Sequence, residues 1–250
     1  MEKFTIQDRT VSLPVEVRRA RTWLTTFVVD AEASQRLIAP TGLEIAQIRP
    51  GKAIVGLAYI RYDDSDLDTY NEFAVTLIVR THDAPPATPR QQGAEVRRQR
   101  VGVLIHQLPV DQSFTLEAGR TIWGYPKTMA RFDVSDDGDR KIMSLHQDGA
   151  RVLTLSFRKP FLPWMRARAL PTYTYLDDTL RLTRWETRTA RPKGSLRGAE
   201  LSLGEGLIAD ELRSLGLPKR PLMSTYTSHM ASRFGPAEVV TPARRSAAQR

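Results

Sequence analysis

The 250-residue sequence contains no cysteine, which excludes disulfide bonds, thiolate metal sites and a cysteine nucleophile. It also lacks a glycine-rich phosphate-binding loop, the H-E-x-x-H zinc motif and the G-x-S-x-G serine motif. The four histidines lie far apart in the sequence, and none has a partner at the spacing of a metal-ligand pair. The sequence therefore predicts neither a metal ion nor an organic cofactor.

Long apolar segments are absent as well. No uncharged apolar run approaches the roughly 20 residues that span a bilayer. The first fourteen residues lack the apolar stretch of a secretory signal. We therefore expect a cytoplasmic protein that does not bind membranes.

Positive charge is in excess, with 37 Lys and Arg residues against 28 Asp and Glu residues. Such a surplus suits either nucleic acid or a small anionic substrate that the electrostatic field attracts. No nucleic-acid-binding motif accompanies it, and part of it lies in the arginine-rich C-terminal end. We expect no nucleic-acid partner, a single domain over residues 1–240, and a disordered basic tail over residues 241–250.

Turn signals dominate the chain and predict a mainly β fold. Asp136-Asp137-Gly138-Asp139 and Asp148-Gly149 are typical of hairpin turns. Helices are expected after Asp30, which suits an N-cap, over Leu207–Leu215, and as one turn at Glu117–Arg120 ended by Gly119. The stretch Asp83–Gly93 is expected to be an irregular loop. Strands are expected at Arg21–Asp30, Leu43–Ile48, Lys52–Tyr62, Glu72–Arg80, Arg97–Leu108, Ala130–Val134, Lys141–Gln147, Arg151–Phe157, Tyr173–Trp185, Ala199–Leu203 and Leu222–Met230.

One lysine has unusual neighbours. Lys127 follows a Gly-Tyr-Pro turn and is flanked by Trp123, Tyr125 and Met129. Apolar surroundings disfavour the charged form of an amine, and a neutral amine can attack a ketone to form a Schiff base. Composition alone, however, favours a surface lysine with a buried stem.

Three segments resemble the acetoacetate decarboxylase family. G-R-T-I-W-G-Y-P-K-T-M-A, from Gly119 to Ala130, resembles the family's lysine segment. Tyr70-Asn71-Glu72 and the strand after it are similar to its Tyr-x-Glu strand, and Ala20–Trp23 to its arginine-bearing N-terminal strand. The three occur in the family's order and approximate spacing, so the likeness covers most of the chain.

The resemblance implies roles for individual residues. Lys127 would be the Schiff-base nucleophile, and Glu72 would assist proton transfer or hold the substrate. Arg21, or Arg19 or Arg18 if the match shifts, would bind the substrate carboxylate through its planar fork of donors. Trp123, Tyr125 and Met129 would surround the substrate. The implied fold is an antiparallel, cone-like β barrel with a few flanking helices. Proteins with this fold are usually oligomeric, and the implied substrate is a small keto acid.

One difference from the family pattern leaves more than one type of reaction compatible with the sequence. The decarboxylase proper has two consecutive lysines where this chain has Lys127-Thr128. A second ammonium would favour the neutral form of the first amine by repulsion, which Thr128 does not do. Decarboxylation of acetoacetate or a related β-keto acid is the leading expectation. The alternatives are aldol, dehydration or cyclisation chemistry on 2-oxo acids, and a non-catalytic protein that binds a small ligand.

Overall fold

The computed structural model describes residues 2–160, 162–163, 169–190, 192–196 and 198–242. Most of the predicted tail, residues 243–250, lies outside the described residues. No helix in the described part of the chain is long and apolar enough to cross a membrane.

The elements alternate strands with a few short helices. The helices are α1 (Ala31–Leu37), α2 (Pro89–Arg97), α3 (Ser113–Trp123) and α4 (Leu207–Ser214), with a 3₁₀ turn at Ala39–Thr41. The strands are β1 (Lys3–Ile6), β2 (Arg9–Ser12), β3 (Val15–Asp30), β4 (Lys52–Ser65), β5 (Tyr70–Val79), β6 (Gly102–Val110), β7 (Lys127–Met129), β8 (Arg131–Asp137), β9 (Arg140–Gln147), β10 (Ala150–Arg158), β11 (Leu162–Pro163), β12 (Thr172–Leu176), β13 (Thr179–Ala190), β14 (Lys193–Ser195), β15 (Ala199–Leu203) and β16 (Met223–Val239).

The main sheet closes on itself. Strands β3, β4, β5, β6, β12, β13 and β16 pair in that order and β16 returns to β3, so that, within the described residues, seven strands form a barrel. All these pairings are antiparallel except β6 with β12. Closure pairs the edges of these seven strands, while the short strands β14 and β11 extend the same sheet from β16, and β7 extends it from β6. The predicted mainly β barrel with few helices is confirmed.

The two faces of the barrel wall have different partners. Along β4 and β5, side chains alternate between an outer cluster that contains Leu57 and Phe73 and an inner cluster that contains Ala58 and Ala74. The outer cluster also holds the apolar side chains of a second sheet, ordered β15-β10-β9-β8. This sheet therefore covers the outside of the barrel, and the inner cluster fills its interior.

Helix α3 lies across one end of the barrel. Trp123, in its last turn, donates from Nε1 to the carbonyl of Gly235 on β16 at 2.7 Å. Thr174 on β12 donates from Oγ1 to the carbonyl of Trp123, also at 2.7 Å. These two strands flank β13, and the helix residues Phe114, Ala118 and Ile122 belong to the inner cluster, so the helix covers that end of the interior.

Turn and cap chemistry predicted several elements correctly. Asp30 caps α1, since its Oδ1 accepts the backbone N–H groups of Glu32 and Ala33. The Asp-rich turns join β8 to β9 and β9 to β10, and α4 and β15 lie where they were expected.

Other predictions were wrong. Leu43–Ile48 makes only an isolated bridge at Ile45, because its apolar side chains pack into the outer core without a strand ladder. The expected loop Asp83–Gly93 ends at Thr88, whose capping box with Gln91 starts α2. The expected single turn at Glu117–Arg120 is the middle of α3. The single strand expected at Tyr173–Trp185 is the hairpin of β12 and β13.

Candidate active site

The end of α3 positions Lys127. Gly124 ends the helix in the left-handed conformation, with φ of +63°, which glycine adopts without steric cost. The chain then turns back, and the N–H of Tyr125 donates to the carbonyl of Gly119. Lys127 opens β7, which pairs in parallel with β6 at Leu108. The turn therefore directs the lysine into the barrel.

The lysine side chain runs along α3 at Gly119. A Cβ atom on Gly119 would lie 2.7 Å from both Cδ and Cε of Lys127, a separation too short for non-bonded carbons. The absence of a side chain at this helical position therefore makes room for the lysine. Glycine lowers the intrinsic stability of a helix interior, and here it is required by packing.

The amine of Lys127 has three neighbours in the interior. Its Nζ lies 2.9 Å from Oε2 of Glu72 and donates to Oγ1 of Thr115, also at 2.9 Å. It stands 4.9 Å from the centre of the Tyr70 ring. Only 3 % of Lys127 and 6 % of Glu72 is exposed. Lys127 is therefore buried, unlike the surface lysine that composition alone favours, and it faces a carboxylate and a hydroxyl as well as apolar groups.

Two tyrosines surround the carboxylate. Tyr62 donates its hydroxyl to Oε1 of Glu72 at 3.0 Å and stacks on Tyr70 with ring centres 4.2 Å apart. Burial raises the pKa of both tyrosines well above the ordinary value, and the negative charge of Glu72 raises each further. Both hydroxyls therefore stay protonated in any physiological medium. Because Tyr62 engages Oε1, Oε2 is left to the amine.

Of the three residues predicted to surround the substrate, two lie in the interior. Trp123 and Tyr125 are buried members of the inner cluster. Burial raises the pKa of Tyr125, and the charge of Glu72 adds to the effect, which places Tyr125 in the same electrostatic environment. Met129 is 49 % exposed, because β7 leads out to the surface there, so it does not lie in the interior with the other two, and its contact with a substrate stays a prediction.

Arg21 does not join the lysine and the glutamate. Its Nε and one terminal nitrogen donate to the two carboxylate oxygens of Asp63 at 2.9 and 2.7 Å. The neighbouring residue of the inner cluster is Ala20. Arg21 lies two residues before Trp23 on β3, so the two side chains are on the same face of the strand, and Trp23 belongs to the outer cluster. Arg21, which the resemblance implies as the residue that binds the substrate carboxylate, is therefore not placed with Lys127 and Glu72.

The neighbouring arginines do not replace Arg21. Arg18 donates to Asp64 and Asp66, and 48 % of its side chain is exposed. Arg19 is more exposed still, with its Nε 3.9 Å from Asp63. All three arginines bind the acidic segment at the end of β4.

Sequence reasoning missed Thr115 and Tyr62. Thr115 lies in the part of α3 that was not recognised as helix, where its N–H donates to the side chain of the N-cap residue Gln112. The signal that was available is the apolar spacing of Phe114, Ala118 and Ile122. Tyr62 has no local signal, since only its pairing opposite Tyr70 brings it to Glu72.

The site combines an amine and a phenol that each contact the same carboxylate. The carboxylate is close enough to exchange a proton with the amine, and the phenol can hold the carboxylate in position. Among the described residues, no group of three or more His, Asp or Glu side chains has the arrangement of a metal site.

Comparison with known proteins identifies the fold. The family model described as acetoacetate decarboxylase (ADC) matches residues 6–241. A comparison with curated protein sequences finds no match. Solved structures match over nearly the whole chain at low sequence identity.

Three of these structures illustrate the range of enzymes that share this fold. The acetoacetate decarboxylase of Legionella pneumophila has a TM-score of 0.71 at 17 % identity, over 92 % of this chain and 88 % of that one. The enduracididine biosynthesis enzyme MppR complexed with pyruvate has a TM-score of 0.70 at 16 % identity, over 93 % and 92 %. An acetoacetate decarboxylase-like enzyme of Sphingomonas wittichii RW1 has a TM-score of 0.63 at 14 % identity, over 93 % and 95 %.

Proposed function

Because the chain belongs to the acetoacetate decarboxylase family, we propose that it is a cofactor-independent lyase that forms a Schiff base between Lys127 and a small β-keto acid and releases carbon dioxide. The observation that carries the proposal is the contact of the buried Lys127 amine with Glu72 and Thr115, both at 2.9 Å, inside the barrel.

The first step is the attack of Nζ on the ketone carbon. The attacking amine must carry a free electron pair, and Oε2 of Glu72 is placed to accept the proton that it gives up. Loss of water from the adduct, with Glu72 returning that proton to the departing oxygen, leaves the iminium ion. Thr115 holds the nitrogen in position during these transfers.

The second step breaks the bond between the α-carbon and the carboxylate. The electron pair of this bond moves into the iminium, carbon dioxide departs, and an enamine forms. Glu72, left as a carboxylate by the first step, takes up one proton from solvent water, and its carboxyl group then passes this proton to the α-carbon of the enamine. Addition of water to the resulting iminium releases the ketone and restores Lys127.

The charges around the site favour a β-keto acid over a 2-oxo acid. A 2-oxo acid that undergoes aldol or dehydration chemistry keeps its carboxylate, and a buried carboxylate is costly unless it is paired. The cation expected for this pairing, Arg21, is bound to Asp63 on the outer face. A carboxylate that leaves as carbon dioxide does not need such a partner, and apolar surroundings favour its departure.

The substitution of threonine for the family's second lysine falls outside the interior. Thr128 is exposed, and its Oγ1 accepts a hydrogen bond from Gln147 at the surface. Thr128 is therefore not among the contacts of Nζ, which are Thr115, Glu72 and Tyr70.

A trapping experiment tests the proposal. The protein is incubated with acetoacetate, other β-keto acids or pyruvate, reduced with borohydride and analysed by intact mass and peptide mapping. We expect a substrate-dependent adduct on Lys127 and release of carbon dioxide from the β-keto acids. Lys127→Ala removes both.

Lys141→Ala is the matched control, because Lys141 is also a buried lysine paired with a carboxylate, that of Asp136. It belongs to β9 of the second sheet, outside the barrel interior. This variant should keep the adduct. Absence of any adduct on folded protein overturns the proposal. An adduct with pyruvate alone overturns decarboxylation and favours 2-oxo acid chemistry, while ligand binding without any adduct favours a non-catalytic binding protein.

A further inference from the structure

Many exposed arginines of the described surface are paired with a carboxylate. They include Arg9, Arg18, Arg36, Arg131, Arg158 and Arg213. Helix α2 and the residues that follow it differ from this pattern. Four arginines are exposed there, and none has a carboxylate partner among the described residues: Arg90, Arg97, Arg98 and Arg100. Their positive charge is therefore not balanced by contacts within the described chain.

The carboxylates next to α2 are already occupied. Glu95 is the only acidic residue of α2, and it accepts a hydrogen bond from Nε of Arg80 at 3.0 Å. A second nitrogen of Arg80 donates to Glu44, also at 3.0 Å, and only 2 % of Arg80 is exposed. Because this buried guanidinium binds both carboxylates, neither is available to the exposed arginines of the helix.

Buried contacts fix α2 against the segment that precedes β4. Gln92, which is 2 % exposed, donates from Nε2 to Glu44 at 2.8 Å and accepts the N–H of Gln47 at 3.1 Å. A Cβ atom on Gly93 would lie 2.7 Å from the carbonyl oxygen of Ile48, so the helix backbone lies directly against this segment. The outer face of α2 is therefore held in one orientation.

The arginines of α2 surround a small side chain on the outer face. Arg90 lies four residues before Ala94, and Arg97 and Arg98 follow it by three and four residues. Side chains at these spacings are neighbours on a helix surface. Arg49, which is exposed and has no carboxylate partner in the described part of the chain, belongs to the segment that α2 packs against. We call these four residues, Arg49, Arg90, Arg97 and Arg98, the α2 arginine cluster.

The α2 arginine cluster is electrostatically unfavourable without a partner. Arg90 lies in the first turn of α2, where the helix dipole favours negative charge, and this turn contains no acidic residue. The other arginines of the cluster add repulsion between like charges. A negatively charged group from outside the chain would reduce both penalties.

The surroundings of the cluster narrow the class of partner. Residues 83–101 contain no aromatic side chain on which the bases of a single strand could stack. They contribute none of the exposed large apolar side chains that insertion into a membrane surface requires. A nine-residue helix is about 14 Å long and covers about four base pairs, and four cations are fewer than the roughly six to ten phosphate contacts of duplex-binding proteins. Carboxylate groups remain, and arginine binds these in a bidentate manner.

We propose that the α2 arginine cluster is a docking surface for an acidic segment of another protein, whose Asp or Glu side chains pair with Arg90, Arg97 and Arg98. The inference goes beyond the proposed function and does not depend on it, because these arginines are exposed at the surface rather than buried in the barrel. Such pairing weakens as salt is added, since exposed charges are screened.

A fluorescently labelled peptide of about ten glutamates tests the inference. Its binding to the full chain is measured by fluorescence anisotropy at about 0.1 M and about 0.5 M salt. The variant with Arg90→Gln, Arg97→Gln and Arg98→Gln should bind at least about tenfold more weakly at the lower salt, because three exposed ion pairs, each of modest strength, are lost. The higher salt should weaken wild-type binding and reduce this difference.

The matched control removes the same number of charges from exposed arginines that are paired with carboxylates elsewhere, by the changes Arg36→Gln, Arg158→Gln and Arg213→Gln. This variant should bind the peptide within about twofold of the wild type. Equal weakening in the two variants means that binding follows net charge alone, and it overturns the docking surface, as does absence of peptide binding at the lower salt. Tighter binding of a short DNA duplex than of the peptide overturns the assignment to an acidic protein.

Discussion

At the scale of single residues, the site depends on a buried polar cluster in which each group satisfies another. Lys127 donates to Thr115 and Glu72, and Glu72 accepts from Tyr62. A buried amine or carboxylate without such partners would destabilise the fold strongly, so removal of one partner affects the others. The cluster is therefore rigid before substrate arrives, which is what positioning of a nucleophile requires.

The position of Arg21 leads to the first residue-level prediction. Because its guanidinium is bound to Asp63 on the outer face, Arg21→Gln should change kcat and KM for acetoacetate by less than about threefold. An arginine that paired with the substrate carboxylate would contribute a charge-assisted bidentate bond, and its loss would raise KM by tenfold or more.

Arg61→Gln is the matched control, since Arg61 is the cross-strand partner of Arg21 and its Nε lies 3.7 Å from the same Asp63. Steady-state kinetics of the two variants should agree. A rise in KM confined to Arg21→Gln would show that the arginine reaches the substrate.

At the scale of elements, helix α3 must meet two packing requirements that conflict at one residue. It closes the end of the barrel, and it must leave room for the lysine that follows it. Gly119 reconciles the two, because an alanine there would improve the helix by about 1 kcal/mol but would collide with Cδ and Cε of Lys127.

A double-mutant cycle tests this account of Gly119. In the wild-type background, Gly119→Ala should lower the free energy of unfolding and slow the formation of the trapped adduct at least about tenfold, because the amine is displaced from Glu72 and Thr115. In a Lys127→Ala background the collision is absent, so the same substitution should raise the free energy of unfolding, by up to about 1 kcal/mol. Equal effects in the two backgrounds, measured by urea denaturation, would contradict the contact.

At the scale of the whole molecule, the closed barrel and its second sheet bury several tyrosines. Burial raises the pKa of Tyr59 to about 12 and raises those of Tyr62, Tyr70 and Tyr125 also. In the unfolded chain a tyrosine ionises near pH 10. The stabilisation from these groups is therefore complete below about pH 10, and it is lost as the pH rises from there through the pKa values of the folded state.

We expect the free energy of unfolding to fall steeply above pH 10. Between about pH 10 and 12, the unfolded state releases one proton per buried tyrosine that the folded state retains, which corresponds to about 1.4 kcal/mol per pH unit for each group. Urea denaturation at pH 8, 10 and 11 measures this slope. Tyr62→Phe should make the slope shallower by the contribution of one tyrosine. An unchanged slope in that variant would argue against the burial of Tyr62.

Several expectations about the whole molecule stay predictions. These are the cytoplasmic location, the homo-oligomer, the single domain over residues 1–240 and the absence of a nucleic-acid partner. The small anionic keto acid is part of the proposed function.

The sequence by itself determined the strands and turns whose signals are local. Asp-Gly turns and the Asp30 cap act through the backbone of their own neighbours, so no distant contact was needed to recognise the hairpins or α1. The lysine segment, G-Y-P-K, was likewise recognisable, because its turn is built from adjacent residues.

Only the tertiary structure decided which side chains meet inside the barrel. A shift of one residue in strand register exchanges the two faces, and β3 contains irregular pairing between Val17 and Ala20. This irregularity places Ala20 inside and Arg21 outside, a choice that the local sequence Arg18-Arg19-Ala20-Arg21 does not encode. Tyr62 and Thr115 reach Glu72 and Lys127 in the same way, through strand pairing and helix packing between segments distant in sequence, because burial of a polar group depends on partners that the folded chain supplies.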